Sequence, residues 1–233
     1  MIDWHNHLLP EMDDGSHSVA ESITMLQVQA SQGVTLVVAT PHFYPNDESV
    51  ASFLKRRAHS YDKLMEQWSE SMPVIRLGAE VQYYPGISRM DELKSLRIQD
   101  SKLLLLEMPM SRWTETMIRE LIDLSGKNGI CLMLAHIDRY LHLQTAGVWE
   151  RLLDHGILMQ TNASFFNARL TRRKALTLLG RGYVHFLGSD CHNMTTRPPQ
   201  VGKAYDIIRK KFDDDYVYQM TEYGYSLLQT IKT

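Results

Sequence analysis

Cysteine is scarce in this 233-residue chain: there are two, Cys131 and Cys191. Two thiols make no disulfide framework, which excludes a small stapled scaffold and fits a reducing compartment. Long hydrophobic runs are missing as well. The longest uncharged apolar stretches, such as 130–135, fall far short of the roughly 20 residues a bilayer span requires. The opening residues Met1-Ile2-Asp3-Trp4-His5 read as a strand rather than a basic segment leading into an apolar one, so no secretory signal is expected. Neither sign of charge dominates. A formal net charge of −2 and a pI near 6.5 provide no basic footprint for duplex nucleic acid. Repeats, low-complexity tracts and long linkers are absent too. These absences predict a cytoplasmic protein, without nucleic-acid partner or membrane insertion, folded as a single domain over 1–233.

What is present is ordinary globular material, 44% hydrophobic and 22% charged, long enough to bury a sizeable core. Short runs rich in Val, Leu and Ile fall at 2–5, 35–39, 73–80, 102–107, 130–136, 157–162 and 184–190. Near-continuous apolar strands of this kind suit a parallel sheet covered on both faces. Amphipathic helical patterns alternate with them at 19–32, 49–69, 114–128, 144–154, 172–181 and 200–212, and a last helix is expected at 214–230. Gly33, Gly129, Gly156 and Gly182 stand where helices should close before the next strand. The order predicts an α/β fold, a distorted (β/α)7 TIM-like barrel, with a doubly wound open sheet as the alternative.

Barrel enzymes place their chemistry at the C-terminal ends of the strands. Here strand one ends in His5-Asn6-His7, followed by Asp13-Asp14-Gly15, and strand two in Thr40-Pro41-His42. Strand three ends in Glu80, strand four in Glu107, strand five in His136 and strand seven in Asp190-Cys191-His192. Strand six offers only Gln160 and Asn162. A single His or Glu at a strand end is usually a solvated or hydrogen-bonded residue. Six of seven ends decorated this way, with five of the ten histidines among them, point instead to a metal cluster. In an extended segment residues i and i+2 face the same way, so His5 and His7 can share an ion, as can Asp190 and His192, while Asn6 and Cys191 point elsewhere. Imidazole and carboxylate donors suit Zn, Mn or Fe, and the lack of thiolates argues against a structural zinc site. Nine ligands exceed the needs of one ion; Glu80 is the best candidate for a bridging carboxylate.

The full run of motifs is Asp3-x-His5-x-His7, Asp13-Asp14-Gly15, Ala39-Thr40-Pro41-His42, Gly78-Ala79-Glu80, His136-x-x-Arg139-Tyr140 and Ser189-Asp190-x-His192-Asn193, with Arg197-Pro198-Pro199 beyond. It closely resembles the polymerase-and-histidinol-phosphatase (PHP) superfamily, and within it the bacterial manganese-dependent tyrosine-protein phosphatases of capsule and exopolysaccharide loci. The resemblance spans essentially the whole chain. It implies a trinuclear site held by His5, His7, Asp14, His42, Glu80, Glu107, His136, Asp190 and His192, with two or three divalent ions, Mn²⁺ foremost and Fe or Zn next. It also implies that Arg139 and Arg197 hold phosphate, and that the substrate is a phosphotyrosine protein, a cognate autophosphorylating kinase. Ile137-Asp138 departs from the Pro-Glu usual before Arg-Tyr, and Cys191 replaces a small or apolar residue.

Phosphomonoester hydrolysis is among the slowest uncatalysed reactions and needs strong electrostatic help. Water activated between divalent ions and two arginines on the phosphoryl oxygens meets that need without a protein nucleophile. His42 is a candidate proton donor to the leaving group. Phe43, Tyr44, Tyr83, Tyr84, Trp113 and Tyr140 follow strand ends and are expected either to line a cleft for an aromatic ring or to pack in the core. Cys191 and Arg197 match the C-x5-R spacing of cysteine-dependent phosphatases, but His-Asn-Met-Thr-Thr between them has no glycine to cradle phosphate. Other readings are a small-molecule phosphatase of the histidinol-phosphate type, a nuclease, a non-catalytic regulator of the kinase, and an amidohydrolase, which lacks a strand-end lysine here.

Overall fold

The computed structural model describes residues 1–127 and 129–229. The expected end of one helix at Asn128, and of the last helix at Thr230, lies outside the described residues. Among these, β1 (Ile2–Asn6), β2 (Leu36–Ala39) and β4 (Val74–Leu77) form one parallel sheet in the order β1-β2-β4. β3 (His42–Phe43), β5 (Glu80–Gln82), β6 (Leu103–Glu107), β7 (Cys131–Leu134), β8 (Leu158–Asn162) and β9 (Phe186–Gly188) follow one another in a second, curled parallel sheet. The fold is α/β, with every strand pair parallel.

The expected strand at 35–39 forms as β2, and a short extra strand, β3, follows it after Thr40-Pro41; the run at 73–80 is interrupted, stopping at Gly78-Ala79 and resuming as β5. Proline offers no N–H to a ladder. The breaks change partners: β2 pairs β4 as far as Ala39 with Leu77, whereas His42 then pairs Glu80 and β5 passes on to β6. His42 and Glu80 therefore open new strands rather than ending old ones. At the other margin, Asn6 bridges Cys191; the Asp190 N–H donates to His5 O at 2.8 Å and the His7 N–H to Cys191 O at 3.0 Å.

The helices are α1 (Val19–Ser31), α2 (Val50–Met65), α3 (Glu115–Ser125), α4 (Ala146–Asp154), α5 (Ala163–Asn167), α6 (Arg169–Gly180), α7 (Val201–Lys211) and α8 (Asp214–Leu228). Ser18, Ser49, Thr114 and Asp213 cap their helices through side-chain oxygens. Gly33, Gly129, Gly156 and Gly182 all take positive φ, 71° to 89°, as helix-closing glycines do. α5 and the first turn of α6 were not expected, because 163–171 has no amphipathic period. The connection from β5 to β6 uses two 3₁₀ turns, Ile87–Arg89 and Glu92–Leu96, instead of a helix.

The strands of the two sheets divide two cores. Ile2, Trp4, Leu36, Val38, Leu103, Leu105, Met133, Ala135, Leu158 and Phe186 pack together on one face, with Leu228 of α8. Alternate residues Val37, Ala39, Leu104, Leu106, Leu132, Leu134, Met159 and Leu187 pack on the other face, among residues of the helices. α8 seals the first core: a Cβ on Gly224 would meet Trp4 Cζ2 at 2.5 Å, and Tyr223 stacks on Phe186 with ring centroids 5.9 Å apart.

Candidate metal centre

β1 carries the irregularity that makes the site. Ile2 and Asp3 pair Leu36 and Val37, but Asn6 pairs Ala39, so three steps of β1 oppose two of β2. This is the signature of a β-bulge, which re-aims side chains. Strict alternation from Trp4, in the first core, would point His5 the opposite way. The bulge keeps His5 on the side of Trp4 and returns Asn6 to the side of Asp3, whose Oδ2 the Asn6 amide meets at 3.4 Å.

His5 Nε2 and His7 Nε2 lie 3.1 Å apart. Glu80 Oε2 lies 3.1 Å from His5 Nε2, 3.3 Å from His7 Nε2 and 3.1 Å from His42 Nδ1. Its other oxygen is 2.8 Å from His136 Nε2, which in turn is 3.4 Å from Glu107 Oε1. His192 Nε2 and His42 Nε2 lie 3.3 Å and 3.6 Å from Asp14 Oδ1, and Asp190 Oδ1 is 3.5 Å from His7 Nε2. Bonds of about 2.0–2.2 Å to a divalent ion place neighbouring donors about 3 Å apart, so these spacings are those of ligands around shared ions.

Four overlapping donor groups result: His7, Asp14, His42 and His192; His5, His7 and Asp190; His5, Glu80 and His136; His42, Glu80 and Glu107. They bring together all nine residues singled out in the sequence. Glu80 joins two groups, the position expected of a bridging carboxylate. Asp14 is the outlying member, its side chain 69% exposed, while Glu80 and His5 are buried. His42 Nδ1 and His192 Nε2 are buried without a hydrogen-bond partner. Orphaned imidazole lone pairs inside a carboxylate cluster fit a metal ion better than water-free packing.

The electrostatics differ from ligand to ligand: His136, despite its burial, is raised to about 9 by the Glu107 and Glu80 carboxylates it faces. Burial alone would raise the Glu80 and Asp190 carboxyls, but the facing histidines, with Arg139 at Asp190, hold both well below the usual range. Burial lowers His42, and burial with the neighbouring His7 and Arg197 charges lowers His192 to about 4, leaving both neutral and able to ligate. Burial opposes protonation of His7, but Asp13, Asp190 and Glu80 together raise it well above the normal value.

Supporting residues that sequence reasoning left without a role now have one. Asp13 Oδ2 accepts from His7 Nδ1 at 2.7 Å and from the His42 N–H at 2.9 Å, the carboxylate–histidine pairing that orients a ligand. Gln160 Oε1 accepts the His136 N–H at 2.6 Å and faces His5 Nδ1 at 3.3 Å. Asn162 donates to Asp190 Oδ2 at 2.8 Å. Asp3, fully buried, accepts from the Ser189 N–H at 2.7 Å and from Gln29 at 2.9 Å, tying β1 to α1 and to the end of β9. The Asp13-Asp14 pair and the Gln160-x-Asn162 alternation were the available signals.

The backbone is strained where chemistry is expected. His136 and Asp190 have φ of 30° and 51°, a region β-carbon-bearing residues avoid. Two glycines admit close approach: a Cβ on Gly15 would meet His7 O at 2.2 Å, and one on Gly188 would meet His5 Cβ at 2.5 Å.

Arg139 and Arg197 both reach Asp190, Arg139 through Oδ2 and Arg197 Nη2 through Oδ1 at 2.6 Å. Both line a 260 Å³ cavity with Asp138, Asn162, Ser164 and Thr196. The Cys191 thiol faces away. It is buried, lies 3.6 Å from the Gln29 amide, and burial pushes its pKa well up. A thiolate nucleophile is not available there.

Of the aromatic residues considered for a cleft, Phe43 packs on Phe53, Trp113 on Trp149, and Tyr140 is buried with its hydroxyl on Met108 O at 2.7 Å. Those three belong to the core. Tyr83 and Tyr84 are half-buried, with their hydroxyls on Glu120 and Met90. Tyr44 stacks on His42 with centroids 5.1 Å apart and stays at the site.

Fold and site together define a parallel α/β protein with a polynuclear candidate metal centre flanked by a cavity that two arginines line. The chain belongs to the family described as "Capsular polysaccharide synthesis, CpsB/CapC", whose model matches residues 1–225. It is 32% identical to the tyrosine-protein phosphatase CpsB of Streptococcus pneumoniae, with 91% of each chain covered. It is 28% identical to the tyrosine-protein phosphatase YwqE of Bacillus subtilis, covering 98% of this chain and 92% of that one. A solved structure from work on YwqE and CpsB, described as unique metal-dependent tyrosine phosphatases, superposes with a TM-score of 0.84. It covers 100% of this chain and 96% of that chain at 24% identity.

Proposed function

We propose that this protein is a metal-dependent tyrosine-protein phosphatase acting on a phosphotyrosine protein, a cognate bacterial tyrosine kinase of capsular or extracellular polysaccharide synthesis. The carrying observation is the convergence of nine imidazole and carboxylate donors beside two arginines that share Asp190. Relatives named tyrosine-protein phosphatases over nine-tenths of the chain support it. The reading includes a cytoplasmic location; no helix among the described residues is long and apolar enough to cross a membrane. It also takes residues 1–233 as one PHP-type domain. In that domain the two sheets would form a single distorted (β/α)7 ring, with β2/β3 and β4/β5 as broken strands and the Asn6–Cys191 bridge as its closure.

His5, His7, Asp14, His42, Glu80, Glu107, His136, Asp190 and His192 would hold two or three divalent ions, Mn²⁺ foremost and Fe or Zn next. When bound, such ions supply the positive charge that attracts phosphoryl oxygens and lowers the pKa of an attacking water. Arg139 and Arg197 each use one end on Asp190 and keep further N–H groups to orient the phosphoryl oxygens in the cavity they line. Asp190 thus sets the arginines and the histidine cluster in one register. The proton for the leaving phenolate would come from water in the site or from His42, whose side chain is 13% exposed with Tyr44 stacked on it; because burial lowers His42, it would serve only in the fraction that is protonated and not ligating. Asp13 and Gln160 hold the His7 and His5 rings in their tautomers.

The test strips the protein with chelator, restores Mn²⁺, and assays a phosphotyrosine peptide and histidinol phosphate with wild type, His136→Ala and Cys191→Ser. Activity on the peptide that returns only with metal, vanishes in His136→Ala and survives Cys191→Ser supports the proposal. Preference for histidinol phosphate would reassign the substrate, and a metal-free activity lost in Cys191→Ser would overturn the mechanism.

A further inference from the structure

A cavity of 600 Å³, more than twice the 260 Å³ of the arginine pocket, lies between α6 and the end of α7. Arg169, Arg172, Arg173 and Lys211 line it together with the apolar Leu176 and Phe212, and no carboxylate does. On α6 the residues 169, 172–173 and 176 fall on one face, three and four apart. Only Arg172 is committed, donating to Phe166 O and Asn167 O at 3.0 and 2.9 Å. Arg169, Arg173 and Lys211 make no carboxylate ion pair among the described residues. Of the three acids just beyond Phe212, Asp213 caps α8 and Asp214 pairs Arg209, and none of the three, Asp215 included, lines the cavity. The first turn of α6 carries two of the arginines and no acid, an arrangement that opposes the helix dipole and so does not serve helix stability. A cationic groove with an apolar lining, on a chain of net charge −2, is complementary to an acidic peptide.

The groove adjoins the candidate centre. α5 is five residues long, about 7 Å of helix. At one end Asn162 holds Asp190 and Ser164 lines the two-arginine cavity; at the other, Arg172 of the groove grips the carbonyls of Phe166 and Asn167. We propose that the α6–α7 groove is a docking site for an acidic stretch of the phosphoprotein substrate, a few residues from the phosphotyrosine in the metal centre. The proposal rests on the phosphatase reading for the identity of the occupant.

Two phosphotyrosine peptides test it, one with a Glu-rich flank and one with a Ser/Gly flank, alongside p-nitrophenyl phosphate, with wild type and the Arg169→Glu/Arg173→Glu double variant. Glutamates suit the first turns of α6, so the double variant should fold. The expected result is a KM for the Glu-rich peptide about tenfold below that of its partner at low salt, an advantage lost in high salt and in the double variant. The kcat and p-nitrophenyl phosphate hydrolysis should stay unchanged. Equal KM values in wild type, or a preference that survives charge reversal, would overturn the docking site. If wild type with Mn²⁺ hydrolyses none of the three, the phosphatase reading fails by itself. Fluorescence anisotropy of the unphosphorylated Glu-rich peptide on metal-stripped protein then decides the groove: binding lost in the double variant supports it, and no binding refutes it. Binding to phosphatidylglycerol vesicles that depends on Arg169 and Arg173, without peptide binding, would also refute it in favour of a lipid surface.

Discussion

Replacing Gln160 by leucine tests the idea that the centre is held by its supporting shell as much as by its ligands. Gln160 is fully buried; its Oε1 takes the His136 N–H and faces His5 Nδ1, while its Nε2 donates to Thr161 O at 2.7 Å. Leucine fills a similar volume and accepts nothing. The His136 N–H, on a residue already at φ 30°, then loses its acceptor. An orphaned buried donor costs about 1–3 kcal/mol, which in a chain of this size lowers Tm by roughly 2–12 °C. The His5 ring also loses the group that fixes its tautomer, and loss of such an outer partner weakens metal binding by about 10–100-fold. Calorimetric titration of chelator-stripped protein with Mn²⁺ reads the second effect, and thermal unfolding of the same stripped protein reads the first. Gln160→Glu, which keeps an acceptor, should recover most of the metal affinity. If Gln160→Leu lowers Tm but binds Mn²⁺ as wild type does, Gln160 is a packing residue and the reasoning about the shell fails.

Arg139→Ala and Arg197→Ala should each lower kcat/KM on a phosphotyrosine peptide by about 10²–10³ while leaving metal content by atomic emission unchanged; loss of metal instead would make the arginines structural partners of Asp190. Gly188→Ala places a methyl 2.5 Å from His5 Cβ and 2.7 Å from Gln160 Nε2. It should cost about 1–3 kcal/mol and impair metal binding, whereas Gly147→Ala, with nothing within 4 Å, should do neither. His185 serves pH dependence away from the centre. Burial lowers it to about 4, and its Nδ1 must stay unprotonated to accept the Met159 N–H at 3.0 Å. Because its folded value lies below its unfolded one, its contribution is full above about pH 6.5 and drains away as pH falls towards 4. The expected loss is up to about 3 kcal/mol, and urea unfolding at several pH values should show a shallower acid dependence in His185→Gln.

Much of this protein was legible before folding because its signals are local. Apolar runs of strand length, amphipathic stretches between them and four helix-closing glycines depend on nearest-neighbour geometry, and they appear in the structure apart from the break in the 73–80 run and the added helical turns at 163–171. Eight of the nine candidate ligands could be sought at strand ends because parallel strands deliver their C-terminal ends to one side, whereas Asp14, in the loop after β1, was singled out from the Asp13-Asp14 pair by the resemblance to the PHP phosphatases. Tertiary structure decided what that rule cannot reach. The bulge in β1 puts Trp4 and His5 on the same side of the strand; it exists only because β1 pairs out of step with β2. The breaks at Thr40-Pro41 and Gly78-Ala79 exchange strand partners and set His42 opposite Glu80. Asp13, Gln160 and Asn162 acquired roles only once residues as far as 29, 155 and 28 positions away came within hydrogen-bond distance. Phe43, Trp113 and Tyr140 went to the core because burial of large rings is settled by what packs against them. Hydrophobic period and residue type are properties of the chain itself, but register, and the second partner of every buried polar group, come from contacts between distant segments, and these form only when the whole sheet does.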